Sequence, residues 1–399
     1  MTDFTIASFN VKNLIGAEQE YYRFEKYTNE EQAWKADWLA DQLLTLNPDI
    51  VCFQEIFEED ALRQVIDETD ARGRALNEAV IPGRDKPYRK KAIFRKLQYE
   101  DYGRAALAFA PNSNDGAPGE RRPGLAVLSR FGFQGAPEVI QDLGTALAIP
   151  FRELTGEDAG HYRMTRLSRP VLKVRVPVGG SVLTVFNCHL KSKLGEYLTP
   201  PGAAFAPEAN LLDYDAAGRA MGSLRAGLRR MAEAWVLRGL ILDELNRGHP
   251  VMVLGDLNDG EHAVSSEIIT GERPFKNYAW MRRHDATAPN DRYSREEAER
   301  IREEVERLRL HSAERLFVKK SARDMVFTSA FGGVYESIDQ ILMSRHFHPG
   351  NPDRIGEMEY FSVLNDHLTD GSHPEAPYNK LASDHGQIMA HIRLGRPAG

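Results

Sequence analysis

Acids, amides and histidines able to handle a cation and a phosphate recur at the ends of apolar runs in this chain. The clearest run is VMVLGDLND, Val251 to Asp259. Four apolar residues, a glycine and then Asp-x-Asn-Asp describe a buried strand that stops in a polar turn. Side chains two apart on a strand point the same way, so Asp256 and Asn258 share a face. Asp256 has the chemistry to ligate a hard cation or to take a proton from water. Asn258 has the chemistry to hold a phosphate oxygen or that water. An Asx-rich turn after a strand explains the same residues with no chemistry at all. Repetition favours the chemical reading. DFTIASFNV (3–11) ends in Asn10 and DIVCFQE in Gln54 and Glu55, while VLTVFNCHLKSK carries Asn187, His189, Lys191 and Lys193. VYESIDQILMS (334–344) reads as one strand with Asp339 among apolar neighbours, and ASDHG sets Asp384 and His385 just ahead of a last strand.

Each residue type narrows the reaction. Acids without cysteine select a hard cation, Mg²⁺ or Mn²⁺. A histidine with two lysines at alternate positions makes an anion-facing edge, since lysines act as point charges on phosphate. A buried acid such as Asp339 needs a cationic or hydrogen-bonding partner. An Asp–His pair supplies an oriented imidazolium. His367, Asp370 and His373 have a spacing that would suit zinc, but no sulfur or acid pair lies near them.

The intervening elements are those of an α/β chain. From about Glu30, Trp34, Trp38, Leu39, Leu43 and Leu46 fall near one helical face, and Asn47-Pro48 ends it. Residues 59–80 read as a solvated helix, and 215–247 as one helix or two. RLSRPVLKVRVPVGGSVLTVF reads as a hairpin turning at Val178–Ser181. Residues 194–214 form a long Pro/Ala/Gly-rich loop, and 294–316 a highly charged, exposed helix with i,i+4 Glu–Arg pairs.

The totals set bounds. The chain has 399 residues, 42% hydrophobic and 27% charged, which suits one large domain or two smaller ones. No apolar run approaches a membrane span, and the N-terminus has no signal-peptide pattern, so the expected location is cytoplasmic. The two cysteines, Cys52 and Cys188, lie inside apolar runs and read as core residues of a reducing compartment. A net charge of -7 excludes a wholly basic nucleic-acid glove. The most basic stretch, Arg84 to Lys96, has seven basic residues against one acid, with Tyr88 and Phe94 interleaved.

SFNVKNL, PDIVCFQE, GLAVLSR, FNCHLKSK, VLGDLND, SIDQILMS and ASDHG, in that order, resemble the endonuclease/exonuclease/phosphatase superfamily with its deoxyribonuclease-I-like fold. The resemblance implies one domain over 1–399, with insertions around 194–230 and 260–325. It implies a four-layer sandwich of two packed mixed β-sheets flanked by helices, with the active site at one end. It implies metal ligation by Glu55 with Asn10 and Asp384, by Mg²⁺ or else Mn²⁺ or Ca²⁺. Asp256 would orient or deprotonate the attacking water, and Asn258 would hold it and the phosphate. Asp339 would orient His385, which would stabilise the phosphorane-like transition state or contact the attacking water. His189 matches a position that is histidine in the deoxyribonuclease, sphingomyelinase and inositol-phosphatase branches and tyrosine in abasic-site repair enzymes. Where deoxyribonucleases place an acid beside that histidine, this chain has Gly103 and Arg104. Lys191 and Lys193 would contact phosphate.

The expectation is a metal-dependent phosphodiesterase, with nucleic acid as substrate and DNA ahead of RNA. The rivals are a phosphatase or phospholipase acting on inositol phosphates or a sphingomyelin-like lipid, and a catalytically inactive scaffold. No stable membrane association is expected. If Arg84–Lys96 binds nucleic acid, neutralising its lysines and arginines should weaken binding and flatten its salt dependence, read from binding titrations at several salt concentrations. An unchanged slope would make the stretch an ordinary solvated surface.

Overall fold

The computed structural model describes residues 3–22, 25–79, 98–112, 121–152, 158–284, 291–318, 326–331, 334–368 and 380–395. The basic stretch Arg84–Lys96 lies outside the described residues, as do Asp370 and His373.

Two six-stranded mixed sheets pack face to face. The first contains β1 (Asp3–Leu14), β2 (Ile50–Ile56), β3 (Ala106–Asn112) and β4 (Arg122–Ser129). The second contains β5 (Glu138–Arg152), β6 (Asp158–Val178), β7 (Ser181–His189), β8 (Val251–Asp256), β9 (Leu310–Ser312) and β12 (Asp339–Ser344). A separate hairpin joins β10 (Ser329–Phe331) to β11 (Val334–Glu336), and β13 (Gly356–Leu364) and β14 (Gln387–Leu394) complete the first sheet. Strand order is β13-β14-β1-β2-β4-β3 in one sheet and β5-β6-β7-β8-β12-β9 in the other. β1–β2 and β7–β8 are the parallel pairs.

Alternation along the central strands builds three apolar layers. Ile6, Cys52 and Val127 of the first sheet meet Val185, Met252 and Ile341 of the second. Their neighbours Ala7, Phe53 and Ala126 turn outward onto α1 (Asn29–Leu46) and α2 (Glu59–Ala79). Phe186, Val253 and Leu342 turn the other way onto α3 (Ala216–Asn246). The result is the four-layer order helix, sheet, sheet, helix. Thr28 and Glu31 close a capping box at the start of α1, and Asn47 ends it in a left-handed turn. Both cysteines are free and buried, Cys52 between the sheets and Cys188 beneath α3.

The segment 215–247 is a single helix. Two sequence expectations need correction. The charged segment 294–316 is not one helix: α4 (Val264–Thr270) precedes α5 (Arg295–Leu308), and the chain then extends through Arg309 into β9 before α6 (Ala313–Val318). Leu310 is 1% exposed and pays for the break by docking at the edge beside β12. Nor is 334–344 one strand. Thr328 Oγ1 accepts the backbone N–H groups of both Ile338 and Asp339 at 3.0 Å, which separates β11 from β12.

Gly255, just before Asp256, has φ 141°, and a Cβ there would sit 1.8 Å from the Cys188 carbonyl oxygen on β7. Only glycine lets the two parallel strands approach so closely. Gly255→Ala should therefore cost roughly 3 kcal/mol or more of stability by urea denaturation. A loss under about 1 kcal/mol would show that the strand pair can yield.

Candidate active site

Register brings the second sheet's chemistry together. Asp256 is the last residue of β8, opposite His189 on parallel β7 and Asp339 on antiparallel β12. Three neighbouring strands thus deliver two acids and a histidine to one lip. The first sheet supplies Asn10 from β1, Glu55 from β2 and His385 from the turn before β14.

Asp256 is the hub. Its Oδ2 lies 3.2 Å from His189 Nε2, 3.7 Å from His385 Nε2 and 3.1 Å from Asn10 Nδ2, which donates to it. Its Oδ1 accepts the Asn258 backbone N–H at 2.7 Å. His385 Nδ1 donates to Asp339 Oδ2 at 2.8 Å, so the imidazole is bonded behind, while its Nε2 faces Asn10 Nδ2 at 3.3 Å and Asp256. Asp256 and Asp339 are 1% and 2% exposed. Burial alone would raise the Asp256 carboxyl, but the charges of His385 and His189 hold it well below the usual range. Burial works to deprotonate His385, and Asp339 and Asp256 overcome it and raise the imidazole well above its usual value. At neutral pH the site therefore presents a carboxylate beside an imidazolium.

His189 has one hydrogen bond here. Its buried Nδ1 has no partner among the described residues. Gly103 and Arg104 do not stand beside it: they precede β3 at Ala106, which pairs with Ser129, and Ser129 pairs with Ile50 at the end of β2 opposite Glu55.

Left-handed backbone clusters around the acids. Glu55 has φ 66° at a bulge, where β2 slips register against both β1 and β4 between Gln54 and Ile56. A bulge re-aims a side chain that would otherwise follow the pleat, and here it sends the carboxylate to the lip. Lys12, Asn13 and Asn258 also have positive φ. Glu55 Oε2 accepts the Asn13 N–H at 3.0 Å, and Oε1 has only a long 3.4 Å contact with Asn10. Asp384 is 64% exposed in its side chain and 4.0 Å from His385 Nε2. Oxygen donors with spare lone pairs, and no sulfur, fit a hard divalent cation. Asp256, Asp339 and His385 also bring ligand atoms within 4.8 Å of one another.

The two lysines make contacts of their own within the chain. Lys191 Nζ donates to the Leu194 carbonyl at 2.9 Å, and Lys193 pairs with Glu336 at 2.7 Å. Neither ammonium bonds to the acids or histidines of the cluster. Asn258 Nδ2 donates to the Leu190 carbonyl at 2.9 Å. Arg169 Nη1 reaches that same carbonyl at 3.1 Å. Arg169 also shares the field of Tyr22 with Glu55: burial first, then the Glu55 charge, pushes that phenol up to about 12, and Arg169 opposes them. Sequence reasoning missed this arginine. Its one signal was a cation just before proline in the strand-like run LSRPVLKVRV.

The turn carrying His385 is held from behind. Ser383 Oγ donates to the Asn10 carbonyl at 2.6 Å and accepts the His385 N–H at 3.0 Å. His367 Nε2 lies 3.0 Å from the His385 carbonyl, against the Trp38 ring. Lys35, wholly buried on α1, donates from Nζ to the Leu381 carbonyl at 2.9 Å. Burial lowers the Lys35 pKa from 10.5 to about 7, helped by Lys12 and opposed by Asp384 and Glu55. Between those values the unfolded chain binds more protons than the folded one, so stability should rise with pH. The gain should be complete above about 10.5 and gone below about 7. Lys35→Met should abolish that rise when urea midpoints are compared in EDTA across the range. An unchanged pH dependence would refute the assignment.

The sequence pattern of the Endonuclease/Exonuclease/phosphatase family matches residues 7–385. No curated protein matches the chain. Among solved structures it is similar to an endonuclease/exonuclease/phosphatase family protein from Leptotrichia buccalis C-1013-b, at 12% identity and TM-score 0.45, covering 98% of this chain and 100% of that one. A family protein from Bacteroides thetaiotaomicron is 12% identical with TM-score 0.46, covering 99% of each chain. TDP2 from Caenorhabditis elegans is 13% identical with TM-score 0.44, covering 98% of this chain and 74% of that one. With the family's pattern spanning nearly the whole chain, the protein belongs to the endonuclease/exonuclease/phosphatase family of metal-dependent phosphoesterases.

Proposed function

We propose that this protein is a divalent-metal-dependent phosphodiesterase that hydrolyses nucleic acid, DNA before RNA, by in-line attack of water. The observation that carries the reading is one buried carboxylate, Asp256, shared between two histidines at 3.2 and 3.7 Å. Asp256 is ionised, and its oxygens orient a water and accept its proton. Asn258 and Asn10 help to fix that water and the phosphate. His385, kept protonated by Asp339, donates toward the phosphoryl oxygens as charge builds on them, and His189 donates from the other side. Arg169 adds a positive charge beside Asn258. A Mg²⁺ or Mn²⁺ held by Glu55, Asn10 and Asp384 would supply Lewis-acid neutralisation of phosphoryl charge.

A second reading draws on the loop after β7, where Leu194, Leu198, Phe205, Leu211 and Leu212 are all exposed. Such a surface suits a phosphatase or phospholipase working on an inositol phosphate or a sphingomyelin-like lipid. No helix among the described residues is long and apolar enough to cross a membrane. An inactive scaffold is disfavoured, because none of the acids or histidines of the cluster has been replaced.

Hydrolysis of supercoiled plasmid with Mg²⁺, Mn²⁺ or EDTA, beside bis-p-nitrophenyl phosphate, tests the reading. Asp256→Ala and His385→Ala should each lower turnover by about 10²–10⁴ while leaving the fold intact by circular dichroism. Near-normal activity in either variant would remove that residue from the mechanism. Cleavage of the small diester with intact DNA would keep the chemistry and move the substrate to the second reading.

A further inference from the structure

The β10–β11 hairpin springs from backbone bonded to the segments that carry Asp339 and His385. At its base, Thr328 Oγ1 holds the Asp339 N–H, and the Thr328 carbonyl accepts the Gly386 N–H at 2.8 Å, one residue past His385. Asn365 Nδ2 secures the Phe327 carbonyl at 3.0 Å. The hairpin is therefore rooted in the same backbone that places Asp339 and His385.

Its two faces differ. Phe331 pairs across the hairpin with Val334, and Ser329 with Glu336. Alternation puts Phe331, Val334 and Glu336 on one face and Tyr335 on the other. Tyr335 packs edge-on against Phe327, with ring centroids 5.0 Å apart. Glu336 reaches Lys193 at 2.7 Å, on the segment leaving His189. The Phe331 face is thus the one turned toward the histidine side of the cleft. There Phe331 is 84% exposed, Val334 58% and Leu194 76%. Apolar side chains this exposed, beside a phosphate-handling cluster, wait for something other than water.

We propose that the Phe331 face is a stacking surface for one nucleobase next to the scissile phosphate, so that the substrate is single-stranded or locally opened nucleic acid. This rests on the nucleic-acid reading above. A phenyl ring needs a base's π-face, and in an intact duplex the neighbouring base pairs cover both faces. A bilayer is a poorer occupant. Membrane affinity grows with buried apolar area, and this face offers only Phe331 and Val334 beside the Lys193–Glu336 ion pair. Every base has a π-face, so the surface selects for an unpaired nucleotide rather than for a sequence.

The test uses the full chain with Mg²⁺ and three substrates: a single-stranded oligonucleotide, the matched duplex, and a strand whose residues flanking the cut are tetrahydrofuran abasic analogues. Wild type should cleave the base-bearing single strand about 5- to 100-fold more efficiently, in kcat/KM, than the base-free strand. Phe331→Ala and Phe331→Leu should erase that advantage while leaving the base-free strand cleaved at the wild-type rate. Phe331→Trp should keep it. Phe331 is too exposed for these changes to threaten folding, and thermal unfolding of each variant checks this. A leucine variant that matches wild type would replace stacking with a general apolar contact and overturn the proposal. So would an alanine variant with undiminished preference, or a wild type that prefers the duplex. A wild type that cleaves neither strand but hydrolyses sphingomyelin in phosphatidylcholine vesicles would overturn the nucleic-acid reading itself, a result distinct from failure of the hairpin alone.

Discussion

One buried carboxylate organises the active end of this protein. Asp256 is cut off from water yet ionised, and an uncompensated charge at that depth would cost several kcal/mol. The compensation comes from all around it: His189 on one neighbouring strand, His385 held by Asp339 on the other side, Asn10 across the sheets and the Asn258 backbone N–H. Apart from the local Asn258 N–H, each contact crosses from one element to another. Both sheets must therefore close in register before the charge is satisfied. That makes the cluster a condition on the fold as well as its chemical product.

The same demand accounts for the irregular backbone nearby. Regular strands would point alternate residues toward and away from the intersheet layer, and could not aim several consecutive polar groups at one lip. The bulge at Glu55, the left-handed Lys12, Asn13 and Asn258, and the close glycine approach at Gly255 break that rule where the chemistry needs it. The long regular runs below, with Ile6, Cys52, Val185 and Met252 interleaved between the sheets, over-determine the frame and hold the deviations in place. The Thr28 capping box on α1 and the buried Lys35 extend that support to the turn bearing His385.

Much of this was legible in the sequence, for a local reason. Strands buried on both faces read as apolar runs, and a polar cluster where a run ends is visible without any partner. Asn10, Glu55, His189, Asp256, Asn258, Asp339 and His385 stand out that way as candidates, and the order of their motifs carried the four-layer architecture. What local pattern could not show was pairing. The break at Arg309 exists because Leu310 completes a sheet edge, and the split between Glu336 and Asp339 exists because Thr328 captures two N–H groups from another segment. Arg169 escaped for a similar reason. In sequence it is one of many strand cations, and only its bond to the Leu190 carbonyl puts it beside Asn258.

Lys191 and Lys193 carry the point further. Their types and spacing read as a phosphate edge, yet one is turned into its own loop and the other ties the β7 exit to the hairpin at Glu336. A lysine's long stem lets it satisfy whichever acceptor the tertiary fold brings nearest, so its position along a strand says little about its target. Carboxylates and imidazoles have short reach, and where the backbone puts them is where they act. The cluster where the two sheets end is built from short-reach groups, and its members stand out in the sequence. The surroundings that select a substrate are built from loops, long cations and an exposed hairpin, and these become meaningful only in three dimensions.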